Sequence, residues 1–337
     1  MREIEIKKEE TKQRLDKYLI RYLKNAGSGF IYRMLRKKNI TLNGKKSKGN
    51  ERLKEGDIIH MYLADETILK FQQEGGTEYF PVSDDLKIIF ENDQILAADK
   101  PAGMFSQKAA PTDVSANEYI LGYLMKSGHM TTDDFSSFRP GICNRLDRNT
   151  SGLLLAAKTL PAARFLSEMI KSHSLKKYYL TIVHGFMEAS DCVTAYIQKD
   201  PHTNKVKVES FWFEGSQKIE TAYEPLDFHN NLTFLRVRLI TGKTHQIRSH
   251  LAFLGHPVIG DTKYGCKKGN EYYQRTYGLR HQLLQAHQIC FPEQGQVPAD
   301  LSGICIEAPL PSLFTRILTD NGMADTLPDK CSGERTS

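Results

Sequence analysis

Asn144-Arg145-Leu146-Asp147-Arg148-Asn149-Thr150-Ser151-Gly152 runs directly into Leu153-Leu154-Leu155-Ala156-Ala157. Charged and turn-forming residues hand over to a segment apolar enough to be a buried strand, so the carboxylate of Asp147 is held at the edge of a rigid sheet. An isolated Asp in such a place more often caps a turn. Here it lies between two arginines, and an acid beside guanidinium groups stays ionised, fit to act as nucleophile or base.

The 337 residues around this stretch suffice for two domains with a sizeable core, and 40% hydrophobic with 26% charged residues is ordinary for a soluble globular protein. No apolar run reaches membrane-spanning length, and the mixed charges of Met1 to Lys8 do not suit a signal peptide. A cytoplasmic, monomeric protein without membrane association is expected. Cys143, Cys192, Cys266, Cys290, Cys305 and Cys331 are scattered, with no C-x-x-C pair, so the expectation is reduced thiols, no disulfide and no zinc.

The net charge of +6 is unevenly placed. Residues 1–70 hold 18 Lys and Arg against 10 Asp and Glu, while the remainder holds 28 against 30. Such asymmetry is expected either of a module that touches a polyanion or of a basic solvated face. Between Thr11 and Leu23, the spacing of Leu15, Tyr18, Leu19, Tyr22 and Leu23 predicts an amphipathic helix. A second helix after Gly27 turns Ile31, Met34 and Leu35 inward and leaves Arg33, Arg36, Lys37 and Lys38 outside. Asn43-Gly44 marks a hairpin after Ile40-Thr41-Leu42, and Gly56-Asp57 leads into a strand over Ile58 to Leu63.

Residues 69–84 carry turn formers without periodicity and read as a linker, and residues 321–337 read as a frayed tail. In between, a hairpin through Ile88 and Ile95 enters Asp99-Lys100-Pro101-Ala102-Gly103, where Lys100 is a candidate phosphate contact or a surface cation. Helices are expected near Ala116 to Lys126, over Leu160 to Ile170 and near Leu310 to Leu318. Lys177-Tyr178-Tyr179-Leu180-Thr181-Ile182-Val183 reads as a strand. In Thr241-Gly242-Lys243-Thr244-His245-Gln246-Ile247-Arg248, a P-loop is excluded because Val237 stands where its first glycine is needed. His245 and His250 are five apart with no carboxylate between them, which argues against a metal site.

These stretches together resemble the RluA class of RNA pseudouridine synthases. Residues 144–152 are similar to the signature HRLD-x-x-TSG, with Asn144 in place of His. Residues 177–185 are similar to K-x-Y-x-A-x-V-x-G, and residues 241–261 to T-G-R-T-H-Q-I-R-x-H-L-x-x-x-G-H-P-x-x-G-D, with Lys243 in place of Arg. Arg280 to His287 is similar to R-x-x-L-H-A, with Gln285 in place of His. The resemblance implies that Asp147 is the catalytic residue, that Tyr179 stacks on the target base, and that Arg248 pairs with Asp147. Residues 12–65 resemble the small RNA-binding domain of the S-four type through Arg14-Leu15-Asp16, Ile40 to Gly44 and Gly56-Asp57-Ile58-Ile59.

The expectation is therefore an α+β protein: an RNA-binding domain over residues 1–68, and over 85–320 a catalytic domain with a mixed, mostly antiparallel sheet flanked by helices. It would isomerise uridines in structured RNA, with ribosomal RNA favoured over transfer RNA, and without cofactor or metal. Asp147, Tyr179 and Arg248 are the candidate catalytic residues. Arg145, Lys177, Lys100, Arg33, Arg36 and Lys37 are the candidate substrate contacts. The competing readings are a non-catalytic RNA-binding or ribosome-assembly factor and a glycosidase-like hydrolase, for which no second partnered carboxylate is evident.

Overall fold

The computed structural model describes residues 2–72, 80–110, 112–128, 130–131, 134, 138–200, 203–295 and 297–323. The first elements are β1 (Arg2–Glu5), α1 (Leu15–Tyr22), α2 (Ser28–Arg36), β2 (Ile40–Leu42), β3 (Lys45–Lys46), β4 (Ile58–Met61) and α3 (Asp65–Gln72). There follow β5 (Lys87–Glu91), β6 (Ile95–Lys100), α4 (Ala116–Lys126), β7 (Gly141–Ile142), β8 (Ser151–Ala157), α5 (Leu160–Lys171) and β9 (Lys176–His184). The chain ends with β10 (Asp191–Lys199), β11 (Val206–Glu209), β12 (Gln217–His229), β13 (Leu232–Leu239), α6 (Gln246–Phe253), α7 (Lys267–Tyr277), β14 (Leu284–Cys290), β15 (Cys305–Glu307) and α8 (Ser312–Asp320). No helix among the described residues is long and apolar enough to cross a membrane.

The chain divides into two compact units, one of residues 1–82, 118–141 and 157–163, the other of residues 83–117, 142–156 and 164–337. In the first, a four-stranded sheet in the order β1-β4-β2-β3 carries α1 and α2. Leu15 and Leu19 of α1 and Ile31 and Leu35 of α2 are buried with Ile40, Ile59 and Met61 of the sheet, as their spacing predicts. Asn43 and Gly44 both have positive φ, the backbone of a two-residue hairpin turn, and set the pairing of Thr41 with Lys46. Asp16 is buried at the start of α1, where it accepts from Arg14 (3.0 and 2.9 Å) and from the Tyr32 hydroxyl (2.7 Å).

Two boundaries differ from the sequence reading. Residues 65–72 form α3, where the linker was expected to begin, because Ile68 is buried against the core of the first unit. Most of that linker, residues 73–79, lies outside the described residues, as does most of the expected tail, residues 324–337. Residues 118–141 belong with the first unit, since Leu121, Met125 and Met130 pack on Phe80.

The second unit is built on one large sheet in the order β11-β10-β12-β13-β9-β14-β8-β6-β5, with β15 beside β14 and β7 beside β8. β8 pairs with β14 in parallel, whereas β10 with β11 and β12, β13 with β12 and β9, β14 with β9 and β15, and β5 with β6 are antiparallel, which matches the expected mixed, mostly antiparallel sheet. Every residue of β8 is buried, the outcome that its unbroken apolar run predicts. Gly152 has φ +107, and a Cβ there would collide with the Ala286 carbonyl. Only glycine therefore lets β8 lie this close to β14. Leu180 and Ile182 of β9 and Phe234 of β13 pack with Phe314 and Ile317 of α8.

The expectation of separate thiols is corrected at one place. Cys290 and Cys305, 4.1 Å apart at Cα, are joined as a disulfide, because the antiparallel pairing of β14 with β15 sets them directly opposite. Pairing across strands, which no short spacing reveals, decides it.

Candidate active site

Asp147 lies in a loop that is tied down on both sides. The Ser106 hydroxyl accepts from the Leu146 amide (3.1 Å) and donates to the Leu146 carbonyl (2.8 Å). Asn144 accepts from the amide of Leu155 (2.7 Å) and donates to the carbonyl of Leu153 (3.1 Å), fastening the start of the loop to β8. Asn144 thus serves the backbone of a strand, and its replacement of His leaves the Asp147 carboxylate's own partners untouched. Arg148 donates to the Gly103 carbonyl (2.9 Å), and Gln282 donates to the Thr150 hydroxyl (3.2 Å). The carboxylate between these anchors has a preset position, as a reacting group needs.

Lys100 belongs to this support and faces away from solvent. It is fully buried, and its Nζ donates to the carbonyls of Pro101 (2.9 Å), Met104 (3.0 Å) and Arg148 (3.0 Å). The reading of Lys100 as a phosphate contact or surface cation is therefore corrected: three carbonyls take the three N–H bonds of its ammonium form. Burial lowers its pKa to about 7, with Asp147 and Asp99 opposing. Lys100→Met should cost at least about 3 kcal/mol by stranding three carbonyls, seen as a lower melting temperature. The salt dependence of RNA affinity should not change, whereas loss of a phosphate contact would flatten it.

Arg248, on α6, reaches two carboxylates at once. Its NH1 donates to Asp147 Oδ2 (2.8 Å), while Nε and NH2 form a fork on Asp261 (2.6 and 2.9 Å). Asp261 is completely buried and also accepts from the amides of Lys263 and Tyr264. Burial works against its charge, but the Arg248 fork and those amides outweigh it and hold Asp261 below the ordinary carboxylate range. The expected Asp147–Arg248 pair is present, and Asp261, which ended the quoted motif with no role attached, anchors it.

His245 completes the surroundings. It precedes α6 with a left-handed backbone (φ 55), and the helix cap falls on it. Gln246 holds this turn, accepting from the Thr241 hydroxyl (2.9 Å) and the Lys243 amide (3.0 Å) and donating to the Glu220 carbonyl (3.0 Å). The Tyr264 hydroxyl accepts from the Val206 amide (3.0 Å) and lies 2.9 Å from His245 Nδ1. Nε2 faces Asp147 Oδ2 at 4.0 Å. Burial lowers the His245 pKa, in keeping with a neutral ring. His245 and Tyr264 were not recognised as site residues in the sequence, because only the fold brings Tyr264 against the turn before α6.

Asp147, Arg248 and His245 line a cavity of 580 Å³ together with Tyr179, Lys177, Arg145 and Lys243. That volume suits a small-molecule or single-nucleotide ligand. Tyr179 and Lys177 are two residues apart on β9 and so share a face, as the alternation predicts. Burial, and then the charge of Asp147, hold the Tyr179 phenol well above its usual range, so it remains protonated. Burial lowers the pKa of Lys177. Arg145 is exposed at the cavity wall. Arg33, Arg36 and Lys37 lie on the exposed side and end of α2 in the other unit. Gln285 is buried in β14 and donates to the Pro309 carbonyl (2.7 Å), away from the residues that line the cavity.

Residues 94–253 match the RNA pseudouridylate synthase family. An uncharacterized RNA pseudouridine synthase of Mycoplasma pneumoniae, the MG370 homolog, is 32% identical over 83% of this chain and 85% of its own. The chain belongs to the RluA class of RNA pseudouridine synthases. A ribosomal large subunit pseudouridine synthase C of Rickettsia felis is 31% identical to this synthase over 90% of the chain and 94% of its own. Human RNA pseudouridylate synthase domain containing 4 shares the fold, with a TM-score of 0.55 at 22% identity over 69% of this chain and 91% of its own. The enzyme isomerises uridine to pseudouridine in RNA.

Proposed function

We propose that Asp147 is the catalytic group of this synthase and that its substrate is large-subunit ribosomal RNA. One observation carries the catalytic assignment: a partly exposed carboxylate is held by Arg248 at 2.8 Å in a nucleotide-sized cavity that a buried, protonated tyrosine also lines. The target uridine leaves its stack to enter, at a cost of about a few kcal/mol. Asp147 acts as nucleophile or base while the bond from N1 to the ribose breaks, the uracil turns, and C5 takes the place of N1. Tyr179 stacks on the base and, because its phenol stays protonated, offers it an O–H hydrogen bond. Arg145 and Lys177 meet sugar or phosphate. No atom is gained or lost overall.

The ribosomal assignment follows relatives named ribosomal large subunit pseudouridine synthase C that cover most of the chain. Incubation of the purified enzyme with unmodified large-subunit ribosomal RNA, followed by mapping of pseudouridines, tests it. New pseudouridines at defined positions are expected. Modification of transfer RNA alone would redirect the substrate, and no modification of either RNA would overturn the ribosomal assignment and point to another RNA.

The basic face of α2 is proposed to track phosphates. Charge reversal of Arg33, Arg36 and Lys37 together should weaken RNA binding and flatten the slope of log affinity against log salt by ~2, at about 0.7 per single-stranded phosphate contact. The single-turnover rate at saturating RNA should be unchanged, because Asp147, Tyr179 and Arg248 lie in the other unit. An unaltered salt slope would reduce the charge asymmetry to a solvated surface.

A further inference from the structure

A second cavity, of 380 Å³, lies beside the first and shares Lys243 with it. Gln198 and Lys199 of β10, Gln217 of β12 and Thr244 supply most of its polar wall. Two features of this region suit a bound polyanion. The first is charge. Lys207 and Lys218 on the neighbouring strands are paired with Glu209 (3.0 Å) and Glu220 (2.7 Å). Among the described residues, no carboxylate pairs with Lys199, Lys205, Lys243 or Lys263 in this way. Lys263 is held below the ordinary lysine range by burial and then by the charges of Arg248, Lys205 and Lys199, against the pull of Asp147. Like charges are thus gathered at the margin of the Asp147 cavity, an arrangement that an anion would relieve.

The second feature is apolar. Phe211 and Trp212, on the loop between β11 and β12, are each 64% exposed. That loop is braced within itself and by β10: the Phe213 amide donates to the Ser216 hydroxyl (3.1 Å), the Gln198 side-chain amide donates to the Glu214 carbonyl (3.4 Å), and Lys207 stands over the Phe213 ring at 4.8 Å. Gly215 of the same loop lines the second cavity, and Phe211 and Trp212 precede it in that loop. Adjacent exposed aromatics beside unpaired lysines match the two faces of a nucleotide, its base and its phosphate.

We propose that this cavity and the Phe211–Trp212 ledge hold the RNA nucleotide next to the isomerised uridine, with Lys199, Lys205 and Lys243 on its phosphates and an aromatic ring stacked on its base. The inference rests on the reading of the Asp147 cavity as the uridine site, to which Lys243 joins it. It adds a contact that orders the flanking strand while the target nucleotide is withdrawn from its stack.

Trp212 is the only tryptophan of the chain, so its emission reports on this ledge alone. Titration of the full-length protein with a short oligouridylate is expected to quench it. A ribose-phosphate chain of equal length without bases should bind through the lysines and leave the emission nearly unchanged. Lys199→Gln with Lys205→Gln should flatten the salt slope of oligouridylate affinity by ~1.4, two contacts at about 0.7 each. Trp212→Ser should raise KM for RNA roughly tenfold, within the range of a lost stacking contact, and leave the single-turnover rate at saturating RNA unchanged. Absence of quenching, whether or not the oligomer binds elsewhere on the chain, overturns the proposal, as does an unchanged salt slope in the lysine variant. Asp147→Asn protein should show the same quenching, so a failure of the catalytic assignment and a failure of this site are told apart.

Discussion

Replacement of Asp147 by asparagine is expected to abolish pseudouridine formation while leaving RNA affinity near that of the wild type. Asparagine keeps the size of the side chain and can still accept from Arg248, but it has no charge with which to attack or to remove a proton. The loss should reach at least about 10³-fold, or ~4 kcal/mol of barrier, in single-turnover assays at saturating RNA. Anchoring of the loop does not depend on the carboxylate, since Ser106, Asn144, Lys100 and Gln282 hold its backbone and neighbours. The melting temperature should therefore move little. Turnover within tenfold of the wild type would end the assignment of Asp147 as the catalytic group.

Arg248→Gln should be nearly as inactive, and for two separable reasons. Asp147 loses the cation that fixes Oδ2, and the completely buried Asp261 loses both prongs of its fork. Removal of one partner from a buried pair costs about 3–5 kcal/mol, so the protein should melt roughly 10 °C lower at 2–4 °C per kcal/mol. The double variant Arg248→Gln with Asp261→Asn removes the stranded charge and should regain much of that stability without regaining turnover. If turnover returned with stability, the activity loss of the single variant would have been unfolding, and the pairing with Asp147 would have no role in the reaction. Arg248→Lys should also fail, because an ammonium cannot present a fork to Asp261 and a further N–H to Asp147. The acid limb carries the same information. Asp261 is held below the ordinary carboxylate range, so its contribution is present above about pH 4, the unfolded value, and is lost as pH falls through the lower folded value. Wild-type stability should fall across that window, and the double variant should show a shallower decline.

Much of this enzyme was legible in the residues themselves. The run Leu153 to Ala157 required a buried strand, the alternation from Lys177 to Val183 required another with Tyr179 and Lys177 on one face, and Asn43-Gly44 required a tight hairpin. These are local matters of burial, side-chain period and backbone sterics, and a strand cannot satisfy them differently in another context. The family motifs marked Asp147, Tyr179 and Arg248, and the fold brings all three into one cavity.

What the residues could not announce depends on which strands become neighbours. Lys100 reads as a surface cation until β6 carries it beneath the loop of Asp147, where three carbonyls enclose it. Cys290 and Cys305 read as separate thiols until β15 returns along β14. Tyr264 is an ordinary tyrosine until the turn after Asp261 delivers its hydroxyl to His245, and Asp261 is the end of a motif until burial makes it the anchor of Arg248. Each of these roles depends on a hydrogen bond or covalent bond between separate elements of the fold. Such contacts exist only once the tertiary structure has formed, and the hydrogen bonds among them, strengthened in the low-dielectric interior, then offset the cost of burying their polar groups.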